Sequence, residues 1–196
     1  MTAAFPNPRQ PDHPVDALFI DRWSPRAFAP DTMQPEDVLT ILEAARWAPS
    51  SSNRQPWRFV WALRGEAGFQ AIAAALNQSN RVWAEKAAAL VVVASKTTVM
   101  RDGDEVPNGA HAFDTGTAWG HLALQAHLQG IASHAMGGFD AATLAAAVAL
   151  PANHALHAVV ALGRRGAAAS LSEDQRGREA PNGRVPLSEV ARRGRF

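Results

Sequence analysis

The sequence lacks several residues on which common catalytic chemistry depends. It has no cysteine, which excludes disulfides, thiolate catalysis and cysteine-ligated metal or iron–sulfur sites. It has no tyrosine either, so no phenol can act as an acid or a nucleophile. Its positive charge is almost entirely arginine, because Lys86 and Lys96 are the only lysines. Any bound phosphate is therefore expected to meet guanidinium side chains.

Charge and hydropathy narrow the class of protein further. A net charge of +1 argues against a general binder of nucleic acid or anionic membranes. The longest apolar run, residues 87–94, is far shorter than the roughly 20 residues that a membrane span needs. The N-terminus shows no charged segment followed by an apolar one, so a cytoplasmic protein is expected. We predict one domain over residues 1–196, with residues 1–13 as a proline-rich N-terminal arm.

Several familiar catalytic motifs are also absent. The chain has no G-x-G-x-x-G, no Walker A sequence, no G-x-S-x-G and no H-E-x-x-H. The histidines are scattered, and no metal site is predicted. Only His134 lies beside another candidate loop, so it alone remains a candidate for lining a pocket.

The periodicity of apolar residues predicts an α+β fold. Helices are predicted over residues 14–20, 35–46, 65–76, 110–129 and 140–150, and strands over residues 58–63, 89–94, 131–135 and 155–162. Residues 77–80 are predicted to break a helix, residues 82–86 to form a turn and residues 101–109 to form a charged loop. Gly116 and Gly120 let another helix approach the long helix closely, which makes it a candidate central or inter-subunit helix.

The polar loop between Trp47 and Trp57 is the most distinctive stretch. Pro49 ends a helix and Pro56 fixes the backbone before a strand, so the loop is pinned at both ends. A rigid array of donors suits an oxygen-rich ligand, because little ordering entropy is lost on binding. The alternative is a capped helix end with a hydroxyl-stabilised turn. The polar residues of the loop are Ser50, Ser51, Ser52, Asn53 and Gln55.

A second polar segment places Arg22, Ser24 and Arg26 at alternate positions. In an extended chain these side chains face the same side, so they can converge on one anion. The alternative is a pair of solvated arginines beside a proline turn.

Four segments together resemble the FMN-dependent nitroreductase family. They are Arg22-x-Ser24-x-Arg26, the loop of residues 49–56, the turn Met136-Gly-Gly-Phe139, and Arg184 in the basic tail. Their order and spacing match the family pattern over about residues 14–190, and the loop is the most specific part. The resemblance implies a sandwich of helices on both faces of a mixed central sheet. It also implies an intertwined homodimer with two FMN sites at its interface.

The resemblance assigns ligands as follows. The phosphate, ribityl chain and pyrimidine edge of FMN would be held by Arg22, Trp23, Ser24 and Arg26. The other subunit would contribute Pro49, Ser50, Ser51 and Asn53, with Gln55 close behind. Beside the flavin ring would lie Asn80, Met136, Gly137 with its N–H toward flavin N5, and Gly138, while Arg184 would close on the phosphate.

The chemistry implied by the resemblance belongs to the cofactor and requires no catalytic side chain. NADH or NADPH would give hydride to FMN, and a small acceptor would then be reduced by a ping-pong mechanism. Acceptors in the family include nitroaromatics, quinones and activated alkenes or aldehydes. The sequence departs from the family at Asn182, where a lysine is frequent, so Arg164 or Arg165 is a candidate substitute at the phosphate. Gly137 replaces a frequent acidic residue, which predicts a more open rim.

Three other interpretations remain open at this point. The chain could be a flavin-fragmenting, dehalogenating or dehydrogenating relative in the same superfamily. It could be a non-enzymatic flavin-binding redox sensor. It could also be a small-ligand or nucleic-acid binder that uses the arginine-rich tail.

Overall fold

The fold is built around two central strands that are largely buried. The computed structural model describes residues 7–196, and in it β2 (Ala89–Lys96) pairs antiparallel with β6 (His154–Gly163). Successive side chains of β2 enter two different cores, with Leu90 in one and Val91 in the other. Because neither face of the strand meets water, its sequence is continuously apolar rather than alternating.

The other elements surround this pair. The sheet has the order β1-β2-β6-β5, with β1 (Trp57–Leu63) and β5 (Ala132–Met136) at its edges, and β3 (Thr98–Arg101) and β4 (Asp104–Pro107) form a separate hairpin. The helices are α1 (Ala17–Asp21), α2 (Pro35–Arg46), α3 (Ala67–Ala75), α4 (Gln78–Ala84), α5 (His111–Leu128), α6 (Ala141–Ala147), α7 (Glu173–Arg176) and α8 (Leu187–Val190). The pairings of the four-stranded sheet are all antiparallel, so mixed strand directions are not seen within this part of the chain.

Helices cover both faces of the sheet, which confirms the predicted α+β sandwich. On one face, Ile41 of α2 and Leu122 of α5 share a core with alternate residues of the strands. On the other face, Phe69 of α3, Trp83 of α4 and Leu144 of α6 are all buried in the second core. Among residues 7–196, no helix combines the length and the apolar character needed to cross a bilayer.

Local signals account for most helix boundaries. α2 begins with Pro35 at its first position, and Gln34 and Asp37 form a capping box. α1 begins three residues later than predicted, because the Asp16 carboxylate accepts the backbone N–H of Leu18 at 2.8 Å. α6 is shorter than predicted, because Ala149 adopts a left-handed φ of 48° that ends the helix.

Two segments that the sequence predicts to be irregular are regular. The predicted loop of residues 101–109 is largely the β3–β4 hairpin, whose turn residues Asp102 and Gly103 have φ values of 54° and 94°. An Asp-Gly pair in left-handed conformation is a strong hairpin signal. The predicted break at residues 77–80 is instead the start of α4, since the Asn77 side chain accepts the backbone N–H of Asn80 at 3.1 Å.

The C-terminal tail folds back onto the N-terminal segment. The buried carboxylate of Glu179 accepts N–H groups of Arg26 at 2.9 and 3.0 Å and of Ala27 at 2.9 Å. An isolated β-bridge joins Phe28 to Arg165. Residues 26–28 are therefore fastened to the C-terminal part of the chain by a backbone bridge and by the Glu179 carboxylate.

The predicted N-terminal arm is only partly described, because residues 1–6 lie outside the described residues. Residues 7–13 form no helix or strand. They nevertheless contact their own chain, since Asn7 donates to the Ile20 carbonyl at 3.2 Å and the Asp12 carboxylate accepts the Leu187 N–H at 2.7 Å.

His134 fastens β5 to the N-terminal segment from inside the fold. Its Nδ1 lies 2.9 Å from the Pro25 carbonyl oxygen, which can only accept, so Nδ1 carries the proton. The imidazole also packs on Trp83 with 4.6 Å between ring centroids. Burial lowers the pKa of His134 to about 4, against a smaller opposing effect of the Pro25 hydrogen bond, so the ring is neutral in the native protein at neutral pH.

This neutral histidine predicts a loss of stability in mild acid. The unfolded chain takes up the proton below pH ~6.5, whereas the native chain takes it up only near pH ~4. The free energy of unfolding should therefore fall as the pH is lowered through this window, by at most about 3 kcal/mol from this group. Replacement His134→Asn keeps a donor for Pro25 but cannot ionise.

The measurement is urea unfolding of both proteins at fixed protein concentration between about pH 7.5 and pH 4. His134→Asn is expected to be the less stable protein at neutral pH, because it loses the packing on Trp83. The difference in free energy of unfolding between the two proteins should become smaller as the pH falls. Two parallel stability curves would show that His134 does not titrate in this way.

Candidate functional site

Arg22, Ser24 and Arg26 lie on the same side of an extended segment, as their alternation predicts. All three are half-buried, whereas Trp23 and Pro25 between them are buried. Arg22 Nη1 donates to Ser24 Oγ at 3.3 Å, so two of the three side chains already touch. Trp23 is buried, with only 8% of its surface exposed.

Arg9 of the arm bonds the carbonyls of Arg22 and Asn182, so it joins the arginine motif to the part of the tail that carries Arg184. Burial lowers the pKa of Arg22, and the positive charges of Arg9 and Arg184 lower it further. Burial also lowers the pKa of Arg9, again with a contribution from Arg184. These three residues, which we call the arginine group, thus place like charges within electrostatic range of one another.

The glycine-rich turn follows β5 directly. Met136 is buried at the end of the strand, while a Cβ added to Gly137 would point into open space. The Gly138 carbonyl accepts the Asn80 side-chain amide at 3.2 Å and the Asn77 N–H at 3.0 Å. A Cβ on Gly138 would overlap the Asn77 amide, so a larger residue here would have to displace the Asn77 side chain.

His134 links these two parts. It lies two residues before Met136 on β5, and it donates to Pro25 in the segment that carries Ser24 and Arg26. The arginine motif, the glycine turn and Asn80 are therefore held in one connected region. The structure brings together most of the residues that the resemblance assigns to one subunit.

The polar loop of residues 49–55 is exposed and rigidly shaped. Ser52, Asn53 and Gln55 adopt left-handed φ values of 51°, 53° and 48°. Ser50 Oγ accepts the Gln55 N–H at 3.0 Å, which closes the loop on itself. The carboxylate of Asp114, buried in the first turn of α5, accepts the Ser51 N–H at 3.1 Å.

Within one chain, the loop and the arginine group belong to different surroundings. The loop is fastened to α5, and Arg54 beside it donates to Asn108 at 3.2 Å. The arginine group is fastened to α1 and the tail. The hydrogen bonds that support the loop are therefore separate from those that support the arginine group.

Arg164 and Arg165, the predicted substitutes for the family lysine, lie near the start of the arginine motif. They line a cleft of about 410 Å³ together with Arg22 and Trp23. The cations whose charges act on Arg22 are Arg9 and Arg184. Arg9 is thus a further guanidinium near Arg22 and Arg184, which no motif in the sequence singled out.

Three supporting residues could not be recognised in the sequence. Arg9 is hidden in a proline-rich arm, and Glu179 in a tail of low hydrophobicity. Asp114 occupies a helix position that predicts an ordinary first-turn acid. Only the pairing of each residue with a distant backbone group reveals its role, and a single sequence carries no signal of that pairing.

Known proteins resemble this chain in sequence and in fold. A solved structure of an oxidoreductase containing FMN is 43% identical and superposes with a TM-score of 0.95, covering 100% of this chain and 98% of that chain. Protein DrgA of Synechocystis sp. is 30% identical over an alignment of 202 positions including gaps, which covers 89% of this chain and 93% of that protein. An NADH dehydrogenase of Thermus thermophilus is 32% identical over 174 residues, which span 74% and 83%.

The sequence model of the nitroreductase family matches residues 20–164, from the start of the arginine motif to the end of β6. That range holds the polar loop, Asn80 and the glycine turn, and it leaves Arg9 and Arg184 outside. On this match, the chain belongs to the nitroreductase family.

Proposed function

We propose that this chain is an FMN-dependent oxidoreductase that takes hydride from NADH or NADPH and reduces a small organic acceptor. The observation that carries the proposal is the connected region formed by the arginine group, Ser24 and the glycine turn. The arginine group offers cationic donors for a phosphate, and Gly137 offers an open backbone surface. A relative that is 43% identical over the whole chain contains FMN.

The donor set fits the phosphate of FMN. Guanidinium groups bind phosphate oxygens in fork geometry, and charge-assisted hydrogen bonds of this kind are the stronger ones. Arg22 and Ser24 already contact each other at 3.3 Å, so a phosphate could accept from both without a large rearrangement. Arg26 lies on the same side of the segment, and Arg184 adds charge from the tail.

The glycine turn fits the flavin ring. Open space over Gly137 leaves room for a planar ring to approach the backbone. Asn80 is held beside the turn by its bond to the Gly138 carbonyl, so its side chain is oriented before any ligand binds. When bound, FMN supplies the hydride and electron transfer at its N5 atom. The chain's own residues bind and orient it, and none needs to titrate.

The polar loop is supported by hydrogen bonds that it does not share with the arginine group. We propose that Pro49, Ser50, Ser51, Asn53 and Gln55 contact the FMN of a second subunit in an intertwined homodimer. The loop is exposed and its shape is fixed by Asp114, as a surface that binds a ligand outside its own chain would be. The face of α5 that carries Phe113 and Leu128 is also open, with exposed fractions of 81% and 66%.

The acceptor is the coarsest part of the proposal. Nitroaromatics, quinones and activated alkenes or aldehydes are all planar or nearly planar electron-poor molecules that could stack on an exposed flavin face. Gly137 contributes no side chain that would narrow the approach. Because donor and acceptor would use one open face in turn, we propose a ping-pong mechanism.

The direct test is an absorbance spectrum of the purified full chain, before and after anaerobic addition of NADH or NADPH. We expect a flavin spectrum that bleaches with a nicotinamide and returns when a quinone such as menadione is added. Steady oxidation of the nicotinamide in the presence of the quinone would complete the cycle. The ratio of rates with NADH and NADPH would define the preferred donor.

Other outcomes would favour other functions. Bound flavin that does not bleach with either nicotinamide would favour a flavin-binding sensor. Reduction by nicotinamide followed by breakdown of the flavin itself would favour a flavin-fragmenting enzyme. A colourless protein that takes up no added FMN and binds polyanions instead would contradict the proposal.

The shared site can be tested by complementation between two inactive variants. Arg184→Glu reverses a charge at the proposed phosphate site, and Ser51→Trp blocks the neighbouring site from the loop. Both residues are exposed, so both variants should fold. Each homodimer is expected to lose FMN, whereas co-expressed chains should form a heterodimer with one intact site and bind about one FMN per two chains.

The matched control is the double variant Arg184→Glu/Ser51→Trp co-expressed with Ser51→Trp, which leaves no intact site in the heterodimer. Differently tagged chains allow the heterodimer to be purified before its flavin content is measured. If the first heterodimer is as empty as this control, the site is not shared between subunits in the proposed way.

A further inference from the structure

Arg9 joins two distant parts of the chain. Its Nε donates to the Asn182 carbonyl at 2.7 Å, and its Nη1 donates to the carbonyls of Ile20 and Arg22, each at 2.8 Å. Asn182 lies two residues before Arg184, and Arg22 begins the arginine motif. One side chain therefore fixes the backbone beside both of the arginines that it repels.

The hydrogen bonds of the arginine group leave donors unused. Within residues 7–196, Arg9 bonds through Nε and Nη1 only, which leaves its Nη2 free. Arg22 bonds only through Nη1, to Ser24, and Arg184 only through Nη1, to the carbonyls of Asn182 and Gly183. A guanidinium group has five N–H donors, so each of the three can still donate to a further acceptor.

Among residues 7–196, no carboxylate forms an ion pair with the arginine group. The ion pairs formed among the described residues lie elsewhere in the chain. Asp21 raises the pKa of Arg9 from a distance, but its carboxylate accepts the Asn7 amide at 2.8 Å rather than a guanidinium. Arg9 and Arg22 are half-buried, and partly desolvated like charges are costly unless an anion joins them.

We propose that Arg9 is a third phosphate-binding guanidinium of this site, beside Arg22 and Arg184. The inference rests on the proposed function, because it takes the phosphate of FMN as the anion. Arg9 holds the two flanking backbones with Nε and Nη1 and donates to the phosphate with Nη2. The dianionic phosphate would offset the excess positive charge of the three side chains.

A purely structural role for Arg9 makes a different prediction. If Arg9 only fastens the arm and the tail, its removal should disturb every part of the site and weaken the binding of any flavin. If it also binds the phosphate, its removal should weaken a flavin that carries one more than a flavin that does not. FMN and riboflavin have the same ring and ribityl chain and differ in the phosphate, so they separate the two roles.

The test compares FMN and riboflavin affinities of the full chain carrying Arg9→Gln. Protein loaded with either flavin is diluted, and the fluorescence of released flavin gives the dissociation constant. We expect FMN affinity to fall about 10- to 100-fold, as loss of a charge-assisted hydrogen bond implies. Riboflavin affinity should fall clearly less, so that the ratio of FMN to riboflavin affinity drops by more than about threefold, because riboflavin lacks the group that Arg9 contacts and is affected only through the backbone that Arg9 holds.

Two control variants match different parts of the change. Arg101→Gln removes the same charge from the exposed end of β3, far from these contacts in the sequence. Asn7→Ala loosens the arm at Ile20 and Asp21 without removing any charge. Both are expected to keep the ratio of FMN to riboflavin affinity within about threefold of the unsubstituted protein.

The outcomes distinguish a failure of the phosphate role of Arg9 from a failure of the proposed function. An unchanged ratio in Arg9→Gln, with both flavins weakened equally or not at all, would overturn the phosphate role of Arg9 and leave the proposed function standing. The same would follow if Asn7→Ala lowered the ratio as much as Arg9→Gln does. An unsubstituted protein that binds neither flavin would instead overturn the proposed function, and this inference with it.

Discussion

Repulsion among the arginine group is the constraint on which the arrangement of both chain ends depends. Guanidinium groups repel one another and have no hydrogen-bond acceptor. Arg9 donates instead to the neutral carbonyls of Ile20, Arg22 and Asn182. Glu179 adds a second attraction between the tail and the N-terminal segment. The buried Glu179 carboxylate binds two consecutive N–H groups, and charge-assisted bonds of this kind are strong. The hydrogen bonds that position this region thus involve backbone groups and Glu179, and the three guanidinium groups keep donors for a ligand.

The polar loop is constrained by its own backbone conformation. Left-handed conformations at Ser52 and Asn53 are unfavourable for residues with a Cβ, by up to about 1–2 kcal/mol each. The loop retains them because Pro49 and Pro56 limit its ends and Asp114 binds its Ser51 N–H. A loop shaped in advance loses little entropy when it binds, which offsets part of the cost of that shape.

Local patterns in the sequence were sufficient for the framework of the fold. The unbroken apolar run of β2 indicates a strand covered on both faces, and the start of α2 is encoded by adjacent capping residues. The alternation from Arg22 to Arg26 likewise predicts which side chains share a face. What the sequence could not reveal depends on distant pairings: Arg9 bonds a carbonyl 173 positions away, and Glu179 bonds an N–H 153 positions away. The β3–β4 hairpin was missed for another reason, because its charged residues obscured the Asp-Gly turn at Asp102.

The same constraint connects ligand binding to the stability of the chain ends. Any anion that binds Arg9, Arg22 and Arg184 together removes repulsion between the arm, the first motif and the tail. A ligand that binds only the folded form stabilises it in proportion to the logarithm of its concentration over its dissociation constant. In the proposed function, the phosphate of FMN would therefore both anchor the cofactor and strengthen the contact between the two ends of the sequence. In that proposal, Arg9 and Arg184 would complete this contact, and both lie outside the range of residues 20–164 that the family model matches.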